Sequence, residues 1–136
     1  MDFSTSMTVA ASGMRAQSER MKIIAENIAN ANSTSPNVGG DPYRRQVATV
    51  KSEFDRTLNA TVVTAGKPNQ DMSPFRMQYD PGNPQADKQG YVKLPNVNSL
   101  VEIMDMQEAQ QSYEANLTVM DSTKTMLAHT VDLLNK

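Results

Sequence analysis

Two stretches of heptad spacing, held apart by a middle full of helix breakers, constrain this chain more than any other feature. Phe3, Met7, Ala10, Met14, Gln17, Met21, Ile24 and Ile28 follow one another at intervals alternating between four and three residues. That alternation places all of them on one helical face, with a single polar member. Ile103, Met106, Gln110, Tyr113, Leu117, Met120, Lys124, Leu127, Val131 and Leu134 keep the same rhythm with two polar members. Both ends are therefore predicted long helices, within residues 1–32 and 98–136. Ser99 followed by Glu102 forms a capping-box pattern directly before the second run, and a helix from Ser99 to Asn135 spans ~55 Å at about 1.5 Å per residue. All seven prolines lie between Pro36 and Pro95, and five of the six glycines between Gly39 and Gly90, so residues 33–97 obey another plan. The expected fold is mainly α with a β-rich insertion: long N- and C-terminal helices form a coiled-coil-like pair around a small middle segment of hairpins and loops.

A C-terminal helix this long needs a long partner, and the N-terminal helix supplies only part of one. Val119, Met126 and Leu133, spaced by seven, form a second apolar line away from the main seam. One neighbouring helix cannot cover both lines. Either the terminal helices bury surface against other copies or other proteins, as long apolar faces do, or the middle segment folds back over the second line.

The middle offers strand candidates at Tyr43 to Val50, Thr61 to Thr64, Phe75 to Tyr79 and Tyr91 to Leu94. They are separated by "NVGGDP", "AGKPNQD" and "DPGNPQADKQG", rich in turn formers. In "FRMQY" the alternation of Phe75, Met77 and Tyr79 with polar residues predicts one buried face. Few aromatics over this length give a thin core, so the hairpins are expected to lean on neighbours.

Composition and single residues argue against catalysis. With a net charge of -2 there is no basic patch to attract nucleic acid or an anionic membrane. No cysteine means no disulfide framework and no thiolate chemistry. The N-terminus "MDFSTSMTVAASG" lacks a basic, then apolar, leader, and no run approaches the ~20 apolar residues that span a bilayer, so neither a cleaved signal peptide nor direct membrane insertion is expected. His129, the one histidine, sits in the C-terminal helical run, where a packed or surface role outweighs that of a catalytic base. The acidic loop Asp80 to Asp87 breaks the calcium-loop pattern with two prolines, Gly39–Gly40 lacks a phosphate-loop lysine and helix, and Arg44–Arg45 reads as a solvated strand edge. No catalytic, cofactor or metal site and no small-molecule substrate is expected. Met7, Met14 and Met21 read as seam residues, whose flexibility suits neighbours of slightly different shape.

The asparagines are less routine. With Met7, Met14, Met21 and Ile28 at heptad position a, Asn27 falls at g, and Asn116 falls at g of the C-terminal helix. Amides there are placed to cross to a neighbouring helix and fix its register, although exposed polar residues would satisfy the same spacing. Asn30 and Asn32 suit the end of the first helix.

These segments also resemble a known family. "IAENIANANS", with Asn27, Ile28 and Asn30, resembles the N-terminal motif of bacterial flagellar rod and hook proteins, and "SYEANLTVMDSTKTM", with Tyr113 and Asn116, is similar to their C-terminal motif. The block "YDPGNPQADKQGYVKLPNVN", with Tyr79, Pro81, Gly90, Tyr91, Pro95 and Asn96, resembles one characteristic of proximal-rod subunits. Between them, residues 33–74 follow the family weakly beyond "PYRRQ", and Glu26 stands where a small residue is common. The resemblance implies a non-enzymatic structural subunit of the basal-body rod, with terminal helices forming an inner tube around an export channel and residues 33–97 facing outward. It implies export through the flagellar type III apparatus without cleavage, a periplasmic rod location, and as partners other copies of itself, other rod proteins and the adaptor at the rod base and export gate. The expected subunit interface comprises Phe3, Met7, Met14, Met21, Ile24, Asn27, Ile28 and Asn30 in the first helix. In the second it comprises Tyr113, Asn116, Leu117, Met120, Met126, Leu127, Val131 and Leu134. The reading from another class is a non-flagellar coiled-coil adaptor that docks a single partner through the two helices.

Overall fold

The computed structural model describes residues 2–135; Met1 and Lys136, the outermost residues of the expected helical segments, lie outside the described residues. Two helices flank six short strands: α1 (Phe3–Ala29) and α2 (Ser99–Leu134) enclose β1 (Gln46–Val47), β2 (Val50–Asp55), β3 (Ala60–Ala65), β4 (Asn69–Gln70), β5 (Arg76–Tyr79) and β6 (Tyr91–Leu94). The strands pair as three antiparallel ribbons, β1 with β4, β2 with β3 and β5 with β6. Helices therefore bracket hairpins, as the breaker distribution requires. No helix is long and apolar enough to cross a membrane among the described residues.

The chain forms two compact units, and each helix contributes to both. The first contains α1 up to Met21, residues 48–67, and α2 from Gln107 onward. Its hairpin, β2–β3, pairs from Val50 opposite Ala65 to Asp55 opposite Ala60. Asp55 Oδ1 closes the turn by accepting from the Thr57 and Leu58 amides at 2.8 and 3.2 Å, while Asn59 adopts a left-handed φ of 49°, a conformation asparagine tolerates. Val63 N–H donates to Ser12 Oγ at 3.2 Å, which fastens the hairpin to α1. In this unit the two helices run antiparallel: Gly13 lies against Asn116, and Arg20 pairs with Glu108 at 2.9 Å. A Cβ at position 13 would stand 2.9 Å from Asn116 Nδ2, so the glycine permits the close approach.

The second unit contains residues 22–47 and 68–106. Ile23, Ile24, Ala31, Val92 and Val97 form its apolar core, supported by the buried Pro95. Here the helix ends are set by asparagines. At the end of α1, Asn30 Nδ2 donates to Glu26 O at 2.8 Å and its own carbonyl receives the Ser33 amide and hydroxyl at 3.1 and 2.9 Å. Asn32 is an exposed member of the closing turn. At the start of α2 the cap is Asn98, whose Oδ1 accepts from Leu100 N–H at 3.1 Å and whose carbonyl accepts from Glu102 N–H at 3.0 Å. The expected Ser99–Glu102 box does not form, because the Glu102 carboxylate is engaged elsewhere.

Three further expectations are corrected. The strand expected over Tyr43 to Val50 shrinks to β1, with Val50 opening β2, since two of its backbone amides are taken by side chains: Arg45 N–H donates to Asn96 Oδ1 at 2.8 Å and Gln46 N–H to Asn27 Oδ1 at 2.9 Å. β2 was not expected, because Lys51, Ser52 and Glu53 are weak strand formers; its pairing along the whole of β3 decides its conformation. The "FRMQY" face is not buried, with Met77 52% and Tyr79 64% exposed. A two-stranded ribbon offers no layer to cover it, and Tyr79 instead packs edge-on against Tyr91 with centroids 5.2 Å apart.

Candidate assembly interface and its polar anchor

The face of α2 that turns inward is offset by one residue from the expected seam, whereas α1 buries two seam members, Ala10 and Ile24, along with off-seam residues. In α2 the buried residues are Glu102, Ala109 and Thr123, all at heptad position g, whereas the neighbouring a residues Ile103 and Leu117 are 46% and 40% exposed. In α1 the buried residues are Ala10, Ala16, Ile23, Ile24 and Asn27. In α2 small or hydrogen-bonding side chains thus take the inward line and larger apolar ones are displaced outward, whereas α1 also buries Ile23 and Ile24. Gln17, the polar member of the expected α1 seam, keeps a buried Oε1 without a partner among the described residues.

Asn27 is the centre of the inward line in the second unit and is only 1% exposed. Its Nδ2 donates to Gln46 O at 2.8 Å and to Glu102 Oε2 at 2.9 Å, while its Oδ1 accepts from Tyr43 O–H at 2.8 Å and Gln46 N–H at 2.9 Å. All four hydrogen-bonding positions of the amide are filled. Glu102 is fully buried, and its other oxygen accepts from Arg45 Nε. Arg45 also faces Asp71 and Asp105, each at 3.5 Å. Asn96 completes the cluster: its Nδ2 donates to Asp71 O and Ser73 Oγ, both at 2.9 Å.

The electrostatics follow from this crowding. Burial opposes the Arg45 charge, but the Glu102 hydrogen bond and the Glu102, Asp71 and Asp105 carboxylates outweigh it, so its pKa is raised. Burial, with Glu26 and Glu102 nearby, pushes the Tyr43 phenol up. Asp71 is held below its ordinary value, first by the Ser73 amide at 2.9 Å and the Ser73 hydroxyl, and to a smaller extent by Arg45, against a contribution from desolvation. Among the described residues no group of three or more His, Cys, Asp or Glu side chains is placed to hold a metal ion.

The sequence singled out Asn27 but missed Tyr43, Arg45, Asp71 and Glu102. Arg45 read as a solvated edge, yet its side chain is 22% exposed and ion-paired, and its neighbour Arg44 stacks 4.3 Å above the Phe75 ring. One signal was available: Glu102 lies fourteen residues before Asn116, on the same heptad line. Asn116 itself does not bond across to α1; its Nδ2 donates to Ser112 O on its own helix at 3.1 Å.

The other expected interface residues are divided. Ile24 is buried, while Phe3, Met7, Met14, Met21, Ile28, Asn30, Tyr113 and Met120 are half-buried. Leu117, Met126, Leu127, Val131 and Leu134 are exposed, with Leu134 reaching 81%, and no residue from 124 to 135 is buried. The middle motif holds a turn together. Gly90 has φ 86° and a Cβ there would meet Tyr79 Cε2 at 2.9 Å; Pro95 O accepts from Arg76 Nε at 3.0 Å; exposed Pro81 packs beside Gly90. Tyr91 and Asn96 serve the ribbon and the polar cluster described above.

Comparison with known proteins places these features in one group. Residues 7–35 match the family described as flagella basal body rod protein, and residues 88–133 match the flagellar basal body rod FlgEFG protein C-terminal family. The chain is 48% identical over 131 residues to the flagellar basal-body rod protein FlgC of Agrobacterium fabrum, covering 96% of this chain and 94% of that protein. It is 36% identical to the FlgC proteins of Bacillus subtilis and of Salmonella typhimurium, covering 94% and 92% of this chain and 95% and 92% of theirs. With matched motifs at both ends and relatives aligned along nearly the whole length, the chain belongs to the FlgC family of flagellar basal-body rod proteins.

Proposed function

We propose that the chain is a non-enzymatic structural subunit of the proximal flagellar rod, polymerising through its terminal helices into the axial drive shaft around the export channel. Residues 1–32 and 98–136 form the inner helical part and residues 33–97 face outward. Its partners are other copies of itself, other rod proteins and the adaptor at the rod base and export gate. It reaches the periplasmic rod through the flagellar type III apparatus without losing a signal peptide.

The observation that carries this reading is the far end of α2. From residue 124 to 135 nothing is buried, yet Leu127, Val131 and Leu134 continue the heptad spacing and Met126 and Leu133 add a second apolar line. Such a helix gains its stability from packing that the single chain does not provide. The outward-facing members of the expected interface, from Leu117 to Leu134, are the residues that a neighbouring subunit would cover. An epitope-tagged chain expressed in its host is expected to co-purify with detergent-resistant basal bodies, and its deletion is expected to abolish motility. A tag recovered only outside basal bodies, with motility intact in the deletion strain, overturns the reading.

A further inference from the structure

Asn27 on α1 and Glu102 on α2 touch directly, yet neither is satisfied by the other. Helix-to-helix contact supplies one of the four hydrogen bonds of the amide and one bond to the carboxylate. The remaining three bonds to Asn27 come from Tyr43 and from both backbone groups of Gln46, and the counter-charge for Glu102 comes from Arg45. All of these partners lie in one four-residue stretch that belongs to neither helix. Glu102 is 0% and Asn27 1% exposed, so water does not substitute for them. A buried carboxylate without its cation, beside an amide with unfilled positions, is strongly disfavoured. Leucines at the same two positions would close the helices on each other without any such requirement.

We propose that the Asn27–Glu102 contact is a conditional latch, closing α1 on α2 at this end only when residues 43–46 are seated between them. Arg45 is its key, and the Gln46 backbone its gauge of correct seating. A chain whose middle is unfolded keeps these helix ends apart, and a closed end reports a folded middle. The latch stands apart from the rod assignment, since it concerns one unit of one chain.

Amide hydrogen exchange on the full-length protein tests it. In the natural sequence, amides of residues 23–29, 46 and 102–106 are expected to be protected. Arg45→Met is expected to lower protection in all three segments together, by about a hundredfold, and Tyr43→Phe by a smaller factor in the same three. In the Asn27→Leu, Glu102→Leu double variant, the helical amides are expected to stay protected while Gln46 is not, and adding Arg45→Met is expected to leave the helices unchanged. The latch is refuted if Arg45→Met exposes Gln46 alone, if its effect on the helices is undiminished in the double-leucine background, or if the natural chain shows no protection in these segments. Retained helical circular dichroism in the double-leucine variant separates uncoupling from a failure to fold.

Discussion

The cluster around Asn27 and the tail of α2 after Thr123 are built on opposite terms. The first buries Asn27 and Glu102 away from water and supplies both with polar partners from the residues around them. The second displays leucine, valine and methionine along a helix with no residue buried. Buried polar groups thus join the small apolar core in holding the chain to itself, while the tail of α2 leaves large apolar side chains uncovered.

The sharpest way to break the contrast is to exchange its consequences. Leu127→Asp, at a position 41% exposed, is expected to change the stability of the free chain by no more than about 0.5 kcal/mol, as for an ordinary surface site, yet to abolish incorporation into basal bodies. Glu102→Ala is expected to destabilise the free chain by about 3 kcal/mol, the low end for breaking a buried pair because Asp71 and Asp105 still face Arg45. Denaturation midpoints and basal-body fractionation on the two variants decide the matter; a tail variant that unfolds the monomer, or one that assembles normally, removes the distinction.

A smaller effect sharpens the polar side alone. Because the Asp71 pKa is depressed below its ordinary 3.8 in the folded state, its contribution to stability is fully present above that ordinary value and is lost as pH falls through the lower folded value. Asp71→Asn is therefore expected to lower the melting temperature at neutral pH and to show a shallower loss in acid than the natural chain. Equal acid slopes would remove the carboxylate from the account. The smallest effect belongs to His129→Ala: on an exposed stretch of α2, it is expected to fall within about 0.5 kcal/mol and to leave motility intact, whereas lost motility with normal assembly would revive a chemical role for the imidazole.

The helices, the breaker-rich middle and the exposed apolar lines were legible because periodicity survives in the sequence whatever the tertiary context. The register of the α2 seam was not. Periodicity pointed to a line through Ile103, Gln110, Leu117 and Lys124, while the structure buries Glu102, Ala109 and Thr123, each one residue earlier. Two local circumstances decide it, and neither has a periodic signature: Gly13 admits Asn116 at close range, and Arg45 draws Glu102 into the interior. Glu102 also sat in a plausible capping position, so a local rule concealed a tertiary one. Asn27 stood out because asparagine weakens a helix, but its partners are 16 to 75 residues away, beyond the reach of spacing arguments. β2 was invisible for a related reason, since a lysine, a serine and a glutamate form a strand only where a partner such as β3 is already waiting.

The two helices differ in length, with 36 residues in α2 against 27 in α1. However they are aligned, nine residues of α2, or ~14 Å at about 1.5 Å of rise each, find no counterpart on α1. In the proposed assembly, where copies of the chain cover that surplus, its folding free energy is expected to depend on protomer concentration through mass action, so that amide protection at this end of α2 rises as the protein is concentrated.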